Sequence, residues 1–141
     1  MKQSSERLSI HWDVDEEGYK WPTLRGADGE LLEPFTSYLE SLVRKMKSNS
    51  IKIKSADSKI QPPTYALSGL IEFLFDEESK LYRLDDGRLE KLRNYFLAGI
   101  RNNPISRGSS HGTKRTANSK LEEVYRFLDW CQVERRLPWN T

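Results

Sequence analysis

Cysteine and histidine are nearly absent: the 141 residues contain one of the first, Cys131, and two of the second, His11 and His111. A single thiol cannot close an internal disulfide, and three isolated ligands make no zinc set, so neither a disulfide scaffold nor a structural metal is expected. Long apolar runs are missing as well. Nothing approaches the roughly 20 consecutive apolar residues of a membrane helix, and the opening MKQSSERLSI has no signal-peptide core. A reduced, cytoplasmic protein is predicted, with no membrane partner. The glycine pattern of a phosphate-binding loop is also missing, and no cofactor is implied. What the chain does have is charge, on 31% of its residues, and aromatic rings, with 4 Trp, 6 Tyr and 5 Phe. That mixture argues against a disordered chain and suits one domain with a wet surface and an aromatic core.

The formal net charge of +2 conceals a segregation. Residues 1–43 hold four basic and nine acidic side chains, whereas residues 44–71 hold six basic ones (Arg44, Lys45, Lys47, Lys52, Lys54, Lys59) against the single acid Asp57. Residues 72–90 are acidic again. From 91 to 121 there are seven basic residues (Lys91, Arg93, Arg101, Arg107, Lys114, Arg115, Lys120) and no acid. Two cationic blocks in acidic surroundings create local fields that favour a polyanionic partner.

Periodicity places these blocks on a helical framework. SIHWDV and YKWPTL flank the turn-like Asp15-Glu16-Glu17-Gly18, so residues 1–30 are read as an extended arm or a short β-hairpin. From Pro34, the stripe Phe35, Leu39, Leu42, Val43 and Met46 predicts a first amphipathic helix ending near Ser48. The lysine-rich SIKIKSADSKIQ is read as a connecting loop, with Pro62-Pro63 opening a second, broadly apolar helix through Ala66, Leu67, Leu70, Ile71, Phe73, Leu74 and Phe75. Asp85 or Asp86 caps a third helix with Leu89, Leu92, Phe96 and Ile100 on one face. PISRGSSHG, from Pro104 to Gly112, has turn chemistry throughout. The fourth helix carries Ala117, Leu121, Val124, Leu128 and Cys131 and is closed by Pro138; Thr113 or Thr116 can cap it, Ser119 with Glu122 also has capping-box spacing, and the stripe reaching back to Ala117 favours the earlier start. The fold class predicted is all-α, a compact four-helix bundle spanning residues 31–141.

Enzymatic arrangements are weak. His111 sits beside Ser109 and Ser110 with no carboxylate partner, and adjacency in sequence does not make a triad, so a small hydrolase is disfavoured. Cys131 falls on an apolar stripe as a small core residue. The carboxylate pairs Asp85/Asp86 and Glu122/Glu123 are explained by helix starts. The four tryptophans are packing groups first. The basic blocks are more informative, because Lys52, Lys54 and Lys59 lead into the second helix and Arg107, Lys114 and Arg115 into the fourth. Unpaired N–H groups at helix starts already favour anions. Thr64, Ser109, Ser110, Thr113, Thr116 and Asn118 add neutral donors for phosphates or base edges. The competing reading is a helical interaction module for an acidic protein partner.

TANSKLEEVYRFLDWCQVERRLPWN, Thr116 to Asn140, resembles the last helix of the core-binding domain of tyrosine recombinases, the phage-integrase family, in its Thr-x-Asn-x-x-Leu start and Leu-Pro-x-Asn end. Thr64-Tyr65-Ala66 with Leu70 and Phe73-Leu74 is similar to that domain's second helix, and LYRLDDGRLEKLRNYF to its third. The resemblance covers about Leu32 to Thr141. It implies a SAM-like helical domain forming half of a clamp around double-stranded DNA, with contacts at Lys59 and Thr64 near the second helix. Around the fourth, it implies His111, Thr113, Lys114, Arg115 and Asn118. It also implies that the catalytic residues belong to a separate domain downstream of residue 141, a partner in the same parent chain. This chain is then not itself an enzyme. Other recombinase protomers become further partners, and the protein is nucleoid-associated when bound.

Overall fold

The computed structural model describes residues 2–4, 7–78, 85–98 and 114–134, with side chains from residue 7 onward. Three strands come first, β1 (Lys2–Ser4), β2 (Leu8–Val14) and β3 (Lys20–Gly26). Four helices follow, α1 (Phe35–Ser48), α2 (Ile53–Asp76), α3 (Asp86–Leu97) and α4 (Lys114–Glu134). The strands form one antiparallel sheet in the order β1-β2-β3. The all-α expectation is therefore corrected: the chain is a mixed α/β domain, mostly helical.

The sheet belongs to the core because its apolar residues alternate. Leu8 and Ile10 of β2 register with Gly26 and Leu24 of β3, and Leu8, Ile10 and Leu24 are almost fully buried in the same cluster as the helices. Ser9, His11 and Asp13 take the opposite face by the period of two. The β2–β3 turn is organised by Asp15, whose Oδ1 accepts from the Glu17 and Tyr19 N–H groups at 3.0 Å each. Gly18 supplies the positive φ of +100° that the turn needs, and a Cβ there would lie 2.9 Å from Ile53 Cδ1. The free edge of β3 is sealed from within the chain. Leu24 donates its N–H to the Thr36 hydroxyl, while its carbonyl receives the Leu32 N–H at 2.8 Å. An edge closed this way offers no ladder to another strand there.

In α1 the expected stripe turns Phe35, Leu39 and Val43 inward, with Tyr38 beside them. Phe35 stacks on Phe127 of α4 at 5.0 Å, and Tyr38 meets Phe127 and Trp130 edge-on at 5.3 and 5.4 Å. Helix α3 begins at the expected cap, Asp85, whose side chain accepts from Arg88 N at 2.8 Å. Ile100 and Pro138 lie outside the described residues, and so does the stretch 104–112.

Helix α2 departs from expectation. It starts at Ile53, and Pro62 and Pro63 lie inside it. The supposed loop is helical because Ala56 and Ile60, four residues apart and both buried, continue the apolar stripe to Pro63 and Leu67. The prolines remove two i→i−4 hydrogen bonds, those that N–H groups at 62 and 63 would donate to the Ser58 and Lys59 carbonyls. Before them α2 is largely exposed, and after them it is buried on nearly every side. Polar ties fix α2 along the sheet. Arg7 binds Glu72 and, at 2.8 Å, Asp76 near one end, while Lys20 binds Asp57 at 3.2 Å near the other.

Candidate nucleic-acid interface

Lys52 is the N-cap residue of α2, with no side-chain capping bond and no acid in the first turn. The first intrahelical bond runs from Ala56 N to Lys52 O at 2.8 Å, so the N–H groups of Ile53, Lys54 and Ser55 point out of the helix end. Lys52, Lys54 and Lys59 are all exposed. Lys54 and Lys59 do not approach a helix from a loop, as the sequence suggested, but sit on it, with Lys52 at the N-cap and Lys59 nearly two turns in. Thr64 is the clear relocation. It is fully buried and its hydroxyl donates to the Ile60 carbonyl at 2.7 Å, so it cannot serve as a surface contact.

Lys114 and Arg115 occupy the first turn of α4, exposed and without an acidic neighbour in that turn. Asn118 is exposed one turn later, and its Oδ1 accepts from Arg93 Nε on α3 at 3.2 Å. Since a guanidinium only donates, that contact turns the amide nitrogen of Asn118 outward. Thr116 is half-buried. Arg107, Ser109, Ser110, His111 and Thr113 lie outside the described residues. Helices α2 and α4 pack against each other, with the start of α4 tied through α3 (Arg93 to Asn118, Tyr95 to Asp76) to the C-terminal end of α2 rather than to its Lys52–Lys59 end.

Ion pairing separates these cations from the rest. Arg7, Lys20, Arg44, Lys47, Lys91 and Arg126 each hold a carboxylate. Arg93 is engaged with Asn118, and Arg25 with Thr23 and the Gly29 carbonyl. Lys120 is half-buried, its ammonium 5.6 Å from the Phe96 ring centre, and burial pushes its pKa down. By contrast, Lys45, Lys52, Lys54, Lys59, Lys114 and Arg115 are exposed, and their charged side chains have no hydrogen-bonding or ionic partner among the described residues. All six come from the two basic blocks. Side chains that are long, charged and unpaired keep their full field for a ligand.

The sequence places Lys45 in the first basic block without assigning it a contact, and overlooks the neutral groups Ser55, Ser58 and Gln61, which are exposed on the N-terminal half of α2. The signal for them was the Ala56–Ile60 spacing, which makes the segment helical and puts these residues opposite the core. Among the described residues, no helix is long and apolar enough to cross a membrane. No family model, no curated protein and no solved structure matches the chain.

Proposed function

We propose that this chain is a non-catalytic DNA-binding domain, of the kind tyrosine recombinases place ahead of their catalytic domain. The observation that carries the reading is the set of six unpaired cations on the N-terminal halves of α2 and α4 and at the end of α1. Phosphate binding draws on such groups, because each lysine or arginine that meets a phosphate releases a condensed counterion. Two uncapped or acid-free helix starts add oriented N–H donors to the same ends. Asn118, with its amide nitrogen facing outward, supplies a base-edge donor on α4. The resemblance of Thr116–Asn140 to the last core-binding helix is the ground for naming recombinases within the larger class of DNA-binding domains.

The domain's part in recombination is then to hold duplex DNA while a downstream domain performs strand exchange. Titration of labelled duplex DNA with the 141-residue chain over a salt series tests the reading. Affinity should fall steeply as salt rises, and these six cations alone allow a slope of log affinity against log salt of about −5. Failure to bind at low salt, together with capture of an acidic protein, would favour the interaction module instead.

A further inference from the structure

Asp57 is the one carboxylate of the first basic block, and its Oδ1 receives two donors. Lys20 Nζ reaches it from β3 at 3.2 Å, and Gln61 Nε2 from one turn further along α2 at 3.3 Å. A carboxylate only accepts, so the contact decides which way the Gln61 amide faces, with nitrogen towards Asp57 and oxygen away. Lys20 steadies the carboxylate from the sheet. Gln61 is exposed, and its Oε1 and remaining amide hydrogen have no partner among the described residues. A donor and an acceptor side by side on a rigid plane match N7 and the N6 amino group of adenine, the pattern displayed in the major groove.

The surroundings suit that task. Gln61 ends an exposed stripe with Lys54 and Ser58 at spacings of four and three, and Ser55 and Lys59 flank it. Cations at the margin can hold phosphates while the amide reads a base, the usual division between positioning and specifying contacts. We infer that Gln61 is a specificity-determining residue that reads an adenine edge in the major groove, with Asp57 as its positioning residue. This rests on the DNA-binding reading above.

The test is selection by the 141-residue chain from a random-sequence duplex library, followed by competition titration of the enriched duplex and its single-base variants. The parent should enrich a motif in which one adenine is preferred over other bases by roughly 5- to 150-fold. In Gln61→Ala that position should lose its preference while the other positions and the salt slope persist. Asp57→Asn, which releases the amide orientation, should weaken the same position and no other. Gln61→Met, which keeps the length of the side chain without its donor and acceptor, repeats the test should the alanine variant not fold. A Gln61→Ala selection that returns the parental motif, adenine included, overturns the inference and leaves DNA binding standing. A parent that binds duplex but enriches no motif does the same. A parent that binds no duplex at any salt overturns the DNA-binding reading, and this inference with it.

Discussion

The Thr36 hydroxyl accepts from the Leu24 N–H at 3.0 Å and lies 3.2 Å from the Leu24 carbonyl, joining α1 to the outer edge of β3. Both residues are buried, so water cannot replace the bond. Thr36→Val keeps the shape and removes the oxygen. It should cost about 1–3 kcal/mol in urea unfolding, the penalty for a buried amide left unsatisfied, and Thr36→Ser should recover most of that loss. Equal midpoints for the valine variant and the parent would show that the edge is closed by other means.

Gly18 joins the hairpin to the start of α2. Its φ of +100° is costly for any L side chain, and the added Cβ would press on Ile53 at 2.9 Å. Gly18→Ala should therefore destabilise the domain by about 1–3 kcal/mol, as a residue held in a sparsely populated backbone region does. The check is the denaturation midpoint, with Gly29→Ala as a comparison. Gly29 also has positive φ but no neighbour within 4 Å, so it should cost less.

Asp15 gives the domain an acid-sensitive point. The hydrogen bond from Lys47 at 2.8 Å, then that from Trp21 Nε1 at 2.8 Å, holds its carboxyl well below the usual range. A carboxyl depressed in the folded state contributes stability that is complete above its unfolded pKa, near 3.8, and is lost as pH falls towards the lower folded value. Thermal midpoints of the parent should fall below about pH 4, and those of Asp15→Asn should fall less over the same interval. Parallel curves for the two proteins would remove Asp15 from the acid response.

Cys131 lies in the core facing away from solvent, and burial pushes its thiol up to about 12. The thiolate is the reactive form, so at pH 8 a disulfide reagent should modify Cys131 only as fast as the domain opens. Addition of denaturant should accelerate the reaction sharply. Rapid modification of the native protein would place Cys131 nearer the surface than its burial indicates.

Legibility in the sequence followed the strength of each periodic signal. The stripes of α1, α3 and α4 were long enough to place all three, and Asp85 was recognisable as a cap because a short acceptor there meets free N–H groups. The hairpin was visible from its turn, but its place in the core was not. Leu8, Ile10 and Leu24 are too few to show period two convincingly, and β1 joins through backbone pairing that leaves no side-chain pattern. Helix α2 was misplaced because Pro62-Pro63 and the three lysines Lys52, Lys54 and Lys59 outweighed the Ala56–Ile60 pair. That error put Lys54 and Lys59 on a loop and Thr64 on the surface. The unpaired state of the six cations depends on where carboxylates fold to, so no linear pattern reveals it.

The central claim is that the exposed cations of α2 and α4 meet phosphate. It is tested most directly by comparing salt slopes of duplex binding for the parent, Lys114→Ala/Arg115→Ala and Lys52→Ala/Lys54→Ala/Lys59→Ala. Each phosphate neutralised contributes roughly 0.9 to the slope, so the double variant should flatten it by up to about two units and the triple variant by up to about three. None of the five residues is in the core, and the folded state should survive with changes within about 0.5 kcal/mol. Parental affinity and an unaltered slope in both variants would contradict the claim.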